Sequence, residues 1–327
     1  MLAFAMRRIA ISIPVLLAAA FVVFALGTFA GNPLDPLLAK NPPAPPNVIA
    51  AETVRLHLDQ PLIPRFFSWL GGLLLHGDFG PSVVSTQDIG AELGSRLLVT
   101  LRLIALAMVI ALVLAVLVGV ITAVKQYSIT DYSATFLGFL FIAMPSFWLA
   151  ILLKQAGIDF NVTVGDQVLY TIGASSVPPP PDTWDRIVDI LGHMVLPTIS
   201  LALISYASWS RFQRASMLEV LNSDYIRLAR SKGLPRRTVL VRHGLRTALI
   251  PLTTVTALDL AAIIGGAVVT ERVFQWKGMG DFLLTSIQTD DVYATSSWLL
   301  LSAVFVILFN LAADLLYAVL DPRIRYA

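Results

Sequence analysis

The chain has 327 residues, of which 57% are hydrophobic and only 13% are charged. Soluble globular domains carry charges on about a quarter of their residues, so this composition excludes a soluble globule and indicates an integral membrane protein. The absence of cysteine excludes disulfides and thiolate metal sites, and the formal net charge of +2 is uninformative until the charges are placed along the chain.

Six segments are long and apolar enough to cross a hydrocarbon core of roughly 30 Å as helices. The first segment resembles a cleaved signal peptide at Thr28-Phe-Ala30, but its apolar run exceeds the roughly 7–15 residues of such peptides and favours retention. We therefore predict an all-α integral membrane protein with six transmembrane helices, the first within residues 1–30. The predicted spans are Ile9–Ala30, Leu97–Val124, Ala134–Leu153, Leu191–Trp209, Ala248–Val269 and Trp298–Leu320.

The basic residues predict that both termini are cytoplasmic. With a cytoplasmic amino terminus, the inner segments carry fourteen Lys or Arg residues and four acids, whereas fifteen acids fall on the outer segments. The positive-inside rule selects this orientation. This orientation puts the basic connection, residues 213–247, in the cytoplasm. The five spans after the first make residues 97–327 a five-helix core.

The first outer segment, residues 31–96, is the longest. It opens with a proline cluster, Pro42–Pro46, which excludes regular helix and central strand there. Apolar residues then recur at helical spacings and predict a short amphipathic helix at the membrane surface, although ordinary loop cover explains the same pattern. These residues are Leu56, Leu62, Phe66, Phe67, Trp69 and Leu70. A second outer segment, about Ala156–Ile190, is also predicted.

Helix breakers and one carboxylate lie inside the predicted spans, where each is costly unless it faces protein or water. We expect these residues to line a translocation pathway, and a buried structural partner is an equal alternative for the carboxylate. They are Pro145, Ser146, Asp259, Gly265 and Gly266.

Other polar residues in the spans have simpler interpretations. A packing kink explains Pro197 at least as well as a lined cavity does. Asn310 and Asp314 lie one turn apart, which favours hydrogen bonding between helices. Arg102 and Lys154 lie near outer span ends and need only extend their charged groups to the interface.

The basic connection predicts two helices. The first, Asp224–Lys232, can be capped by Ser223 or Asn222 and ended by Gly233 in the left-handed conformation. A second helix then starts at Pro235 and leads to about Arg246, back to the membrane.

One face of the first predicted helix is typical of a docking surface. Tyr225, Leu228 and Ala229 recur at spacings of three and four residues, and basic residues surround them. Such a helix can place a small apolar face in a groove on a partner. A helix lying on anionic lipid is the simpler alternative.

The order of residues in this connection resembles the EAA loop of permease subunits of ATP-binding-cassette importers, in the peptide/nickel family and of its first-permease type. The matching residues are Asp224, Tyr225, Ile226, Arg227, Ala229, Arg230, Lys232, Gly233, Leu234, His243, Arg246, Ala248 and Pro251. Small departures occur at Ser231, Gly244 and Thr247, and Lys277 stands where proline is usual. Three further segments resemble that family: Leu58–Leu62, Gly77–Gly80 and Gly265–Val269.

This resemblance implies the type I importer permease fold and half of an ATP-driven importer for oligopeptides or dipeptides in the prokaryotic plasma membrane. Its implied partners are a second permease, two cytoplasmic ATPases, an external substrate-binding protein and membrane lipid, but no nucleic acid. The implied ATPase-coupling residues are Asp224, Tyr225, Arg227, Ala229, Arg230, Lys232, Gly233, Leu234, His243, Arg246 and Pro251.

The chain contains no Gly-x-x-x-x-Gly-Lys-Ser/Thr loop, so ATP and Mg²⁺ are assigned to partner chains, and neither a cofactor nor enzyme activity is predicted here. A nickel or other small-solute importer stays an alternative, but the lack of cysteine and of a histidine cluster favours peptides.

Two other classes of protein are alternatives. An ion-coupled secondary transporter would carry protons or sodium on Asp259 and Asp314 and would need no docking connection. An intramembrane enzyme or metal site lacks support, because the four histidines have no metal spacing and form no catalytic pair. These are His57, His76, His193 and His243.

Overall fold

The computed structural model describes the backbone of residues 2–42, 44–84 and 88–320, and the side chains of residues 10–42, 44–84, 88–256, 259 and 267–311. All regular elements in these ranges are helical, which confirms the all-α prediction. The helices are α1 (Leu2–Ala30), α2 (Asp35–Leu38), α3 (Pro46–Arg55), α4 (Leu62–His76), α5 (Ile89–Val124), α6 (Ile129–Ala143), α7 (Ser146–Val164), α8 (Thr183–Leu221), α9 (Asp224–Ser231), α10 (Arg236–Thr238), a π-helical segment (Val239–Leu245), α11 (Arg246–Val273), α12 (Met279–Gln288) and α13 (Val292–Leu320).

Five stretches of the described residues are long and apolar enough to cross a membrane. They are Ala10–Leu38, Ile89–Val124, Ser146–Val164, Thr183–Leu221 and Val292–Leu311. The predicted span Ala248–Val269 lies in α11, and most side chains of its second half fall outside the described residues.

The predicted span Ala134–Leu153 is not one continuous helix. Met144 (ψ 130°) and Pro145 (ψ 137°) are extended, so α6 ends before them and α7 begins after them. A residue before proline is kept out of the helical region by the proline ring, and proline itself has no N–H to continue the hydrogen-bond ladder. The prediction therefore placed the interruption correctly but understated it.

The chain divides into two compact units. One contains Leu2–Thr100 and Lys277–Leu308, and the other contains Leu101–Trp276 with the residues from Phe309. The division predicted from the sequence, 1–30, 31–96 and 97–327, stays a prediction.

The unit built from Leu2–Thr100 and Lys277–Leu308 has an aromatic core. Phe24 of α1 stacks on Trp69 of α4 at 5.4 Å and meets Tyr293 of α13 edge-on at 5.7 Å. The predicted amphipathic helix is present as α4, with Phe66 and Trp69 buried and Phe67 exposed. The apolar residues that recur at helical spacing in this segment therefore correctly predicted a helix with a buried face.

In the other unit, α8 packs against α6, α7 and α11. Small residues of α5 and α8 form the core of this unit, together with the fully buried Trp209. Gly119 of α5 lies so close to α8 that an added Cβ would be 2.7 Å from the Cβ of Gln213. Small residues at such positions let helix backbones approach within a membrane.

The outer segment predicted at Ala156–Ile190 is partly helical, because α7 continues to Val164 and α8 begins at Thr183. The turn between them is held by Asn161, whose Oδ1 accepts from the N–H of Leu169 (2.9 Å) and whose amide donates to the same residue's carbonyl (2.7 Å). Tyr170 then stacks on His193 of α8 at 4.0 Å. The segment is therefore a folded part of this unit.

Arg102 and Lys154 have specific partners in this unit. The Arg102 guanidinium donates to the carbonyl of Ala174 at 2.9 Å, and the Lys154 ammonium donates to the carbonyl of Val273 at 2.8 Å. The expectation that these groups only extend to the interface was incomplete, because each also donates to a backbone carbonyl that is distant in the sequence.

Candidate functional site

The basic connection forms a helix, α9, whose end is fixed by a glycine. Gly233 adopts φ +76° and its N–H donates to the carbonyl of Arg230 at 3.0 Å, as predicted for a left-handed stop. The predicted cap is absent: Ser223 occupies the N-cap position, but its hydroxyl donates to the carbonyl of Val220 at 2.6 Å. Asn222 instead terminates α8.

One face of α9 is anchored to the rest of its unit. Ile226 (0% exposed) and Ala229 (8% exposed) pack against Met217 and Val220 of α8. Val239 of the π-helical segment, Ala123 of α5 and Ala248 of α11 complete this cluster. A helix that buries two residues among four other elements moves with those elements.

The opposite face of α9 is open. Tyr225 is 43% exposed and Leu228 is 56% exposed, and their helical positions lie on the same side, away from Ile226. Arg227 beside them forms an ion pair with Asp224 within α9. The sequence pattern predicts that Ala229 shares a face with Tyr225 and Leu228, whereas the structure places Ala229 on the buried side.

A groove of about 410 Å³ lies beside α9. Its apolar lining comes from the ends of α5 and α8 and from the π-helical segment, while Arg230 and Arg236 supply two positive charges. The lining residues are Ala123, Val124, Leu221, Arg230, Leu234, Arg236, Val239 and Leu240. The surface beside α9 is thus both apolar and basic.

The connection from α9 back to the membrane is helical from Arg236 onward. It runs as α10, the π-helical segment and α11, from Arg236 to Val273. His243 is half-buried in it, whereas Arg246 and Pro251 are exposed. Pro251 cannot donate to the carbonyl four residues earlier, yet the helix continues past it. The predicted second helix therefore extends into the fifth predicted span as one helical run.

An ion pair joins Asp131, in the first turn of α6, to Arg214 of α8. Arg214 Nε and Nη2 each donate to an Asp131 carboxylate oxygen at 2.8 Å, and the N–H of Tyr127 donates to the same carboxylate at 3.0 Å. The Arg214 guanidinium lowers the pKa of the Asp131 carboxyl, which is only 3% exposed. This pair was not predicted from the sequence, because its partners are 83 residues apart and leave no local pattern.

Only some of the expected pathway residues lie within the part of the chain whose side chains the structure describes. Pro145 and Ser146 form the break between α6 and α7. Asp259 accepts a 2.7 Å hydrogen bond from the indole Nε1 of Trp209, which matches the alternative of a buried structural partner. The side-chain positions of Gly265 and Gly266 lie outside the described residues, as does the side chain of Asp314 expected to pair with Asn310. The assignment of these five residues to one pathway therefore stays a prediction.

The described residues contain no group of three His, Cys, Asp or Glu side chains that could hold a metal ion. The basic surface of α9 and its groove is consequently the region whose chemistry points most directly to a function. It offers apolar contact surrounded by positive charge and a stiff link to a membrane-spanning helix, which together suit a protein partner.

Comparison with known proteins gives matches along the whole chain. A family described as "Binding-protein-dependent transport system inner membrane component" matches residues 115–326. The chain is 38% identical over 319 residues to the oligopeptide transport system permease protein OppB of Mycobacterium tuberculosis H37Rv, covering 98% of each. It is 36% identical over 328 residues to the oligopeptide transport system permease protein AppB of Bacillus subtilis 168, covering 100% of each. It is 35% identical over 343 residues to the dipeptide transport system permease protein DppB of Escherichia coli K12, covering 100% of this chain and 99% of that protein.

A solved inward-facing structure of the MetNI methionine ABC transporter has the same fold. It superimposes with a TM-score of 0.53 at 17% identity, covering 70% of this chain and 96% of that chain. This likeness confirms the predicted type I importer permease fold.

Proposed function

The chain belongs to the family of binding-protein-dependent transport system inner membrane components, and we propose that it forms half of the pathway of an ATP-driven importer of oligopeptides or dipeptides. Members of this family are transport subunits of the inner membrane rather than enzymes. The relatives named for oligopeptide and dipeptide transport support a peptide cargo. An ion-coupled mechanism is disfavoured, because Asp259 is engaged by Trp209.

The proposed complex contains a second permease, two ATPases that carry ATP and Mg²⁺, and an external substrate-binding protein. In this chain, residues 1–30 would form the first span, 31–96 an outer segment, and 97–327 the core with its coupling connection at 213–247. The pathway would pass the α6–α7 break at Pro145 and Ser146, together with Asp259, Gly265 and Gly266.

The observation that carries this proposal is the two-sided character of α9. Its exposed Tyr225 and Leu228 offer a docking face to an ATPase, and its buried Ile226 and Ala229 tie it to α5, α8 and α11. A partner that moves α9 must therefore move those helices as well. Coupling between distant sites requires such a stiff two-position element.

We assign roles to the predicted coupling residues from their places on this surface. Arg227, Arg230 and Lys232 would orient the ATPase through charge, and Leu234 would add apolar contact beside the groove. His243, Arg246 and Pro251 would lie on the helical run that carries the motion into the membrane, and Asp224 would hold Arg227 in place.

Gly233 offers a sharp test of this proposal, because two physical effects at this position predict opposite orders of activity. Its φ of +76° is costly for Ala by about 1 kcal/mol or more but is tolerated by Asn. A Cβ added there meets nothing within 4 Å, so neither substitution creates a steric clash within the chain, and the two differ only in backbone strain.

We expect ATP-driven peptide uptake into vesicles to fall several-fold in Gly233→Ala and to stay near wild type in Gly233→Asn, with ATP hydrolysis retained in both. This order would show that the shape of the α9 end couples hydrolysis to uptake. The reverse order, with Asn worse than Ala, would show steric exclusion at the docked surface instead. Uptake unchanged in both variants would remove α9 from the coupling path.

A further inference from the structure

A small cavity lies among α4, the segment before it, the turn that follows it and the start of α13. It has a volume of about 70 Å³ and is open on one side. Two short segments singled out in the sequence meet here, since Gln60 belongs to Leu58–Leu62 and Asp78 to Gly77–Gly80. The lining residues are His57, Gln60, Arg65, Ser68, Trp69, Gly72, Asp78, Gly80, Pro81 and Tyr293.

The unusual feature of this cavity is a buried cation. Arg65 is only 5% exposed, and its guanidinium lies 5.3 Å from the centre of the Phe24 ring. Its Nη2 donates to the hydroxyl of Thr28 at 2.5 Å, whereas its Nε is buried without a hydrogen-bond partner. Among the described residues, no carboxylate forms an ion pair with this guanidinium.

Such an arrangement is unfavourable unless something else binds. A guanidinium has five N–H donors, and a buried charge without a counter-ion is strongly destabilising. Asp78 also lines the cavity, but it forms no ion pair with Arg65 and accepts a hydrogen bond from the N–H of Gly80 at 2.9 Å. The buried Asp291 is engaged by the hydroxyl of Ser82 and the N–H groups of Val83 and Ala294. Within the part of the chain that the structure describes, this guanidinium therefore has no counter-ion in ion-pair contact.

We propose that this cavity binds a carboxylate group brought from the extracytoplasmic side. Two parallel N–H donors of a guanidinium match the two oxygens of a carboxylate. The hydroxyl of Ser68 and the amide of Gln60 line the same cavity and add further donors. A volume of about 70 Å³ accommodates a carboxylate with its adjoining methylene but not a whole peptide.

Within the proposed function, the carboxylate has two sources. It belongs either to an acidic side chain of the external binding protein or to the peptide being transported. In both cases, Arg65 would recognise the partner by charge and geometry on the outer side.

The direct test uses sodium acetate as the probe on the purified transporter complex. Relative to sodium chloride at equal ionic strength, acetate should raise the thermal unfolding midpoint of the wild-type permease by about 5 °C. The variant Arg65→Met should lose this shift while unfolding at or above the wild-type midpoint in chloride, because a buried unpaired charge is replaced by an apolar side chain. Arg55→Met, which removes an exposed arginine of the same unit, should keep the acetate shift.

Three outcomes overturn the inference. Equal midpoints of the wild type in acetate and chloride would mean that water alone solvates Arg65. A shift that persists in Arg65→Met, or a large destabilisation of that variant in chloride, would mean that Arg65 is not an unpaired ligand-binding group.

The source is identified by two further measurements. If the binding protein supplies the carboxylate, Arg65→Met should weaken its affinity for the complex about tenfold. If the peptide supplies it, uptake of peptides amidated at the carboxyl terminus should equal uptake of free peptides in Arg65→Met but not in the wild type. No response in either measurement overturns a role in transport. Absence of ATP-driven uptake by the wild type would contradict the proposed function itself. The acetate measurement does not depend on uptake, so it would still test the carboxylate site.

Discussion

Removal of either partner of the Asp131–Arg214 ion pair should destabilise the unit that contains α9. Asp131 is 3% exposed and accepts three hydrogen bonds, whereas the Arg214 side chain is 29% exposed. Breaking a buried pair by removing one partner costs about 3–5 kcal/mol. The cost depends on which charge is left behind.

Arg214→Met leaves a buried carboxylate without its cation, so we expect the full loss of about 3–5 kcal/mol. Asp131→Asn leaves the guanidinium of Arg214, which can turn toward solvent. The amide oxygen of the new asparagine side chain still accepts from the N–H of Tyr127. We expect about 2 kcal/mol for this variant, because the loss is close to that of a hydrogen bond to a charged group. The double variant Asp131→Asn/Arg214→Met should be more stable than Arg214→Met alone.

Thermal unfolding of the purified complex measures these differences. A loss of 2 kcal/mol corresponds to a midpoint lower by roughly 4–8 °C for a unit of this size. Equal midpoints for the two single variants, or a double variant that is less stable than Arg214→Met, would refute the assignment of the cost to a stranded carboxylate.

The same pair predicts a dependence on pH. Arg214 lowers the pKa of Asp131 in the folded protein, so the stabilisation is complete above about pH 4 and is lost as the pH falls through the folded-state pKa. Asp131→Asn should remove this acid-sensitive contribution. An unfolding midpoint that falls equally between pH 6 and pH 3 in wild type and variant would contradict it.

Two helix contacts make further predictions that thermal unfolding can check. Gly119→Ala should cost about 1–3 kcal/mol, because its Cβ would lie 2.7 Å from Gln213 and 2.9 Å from the carbonyl of Ser210. Gly94→Ala in the same helix meets nothing within 4 Å and should be neutral or stabilising; equal losses would contradict the packing explanation. Trp209→Phe should cost about 1–3 kcal/mol by leaving Asp259 without its indole donor, and a midpoint equal to wild type would show that this bond adds nothing.

The α9 surface shows how far sequence patterns reach. The end of the helix at Gly233 was predicted correctly, because the left-handed conformation is a local property of glycine. The break at Pro145 was predicted for a similar reason, since proline acts on its own backbone and on the residue before it. The burial of Ala229 was not predicted, because a helix with apolar residues over a broad arc does not say which part of that arc meets α8.

The sequence by itself determined that this is a helical membrane protein with a basic cytoplasmic connection. Solubility in hydrocarbon and charge at the membrane surface depend on the amino-acid composition of each segment, which the sequence gives directly. Only the tertiary structure decided which groups meet: Asp131 with Arg214, Trp209 with Asp259, and Arg65 with an open cavity. These pairings join residues that are distant in sequence, and the free energy of burying a charge depends on neighbours that no local pattern specifies.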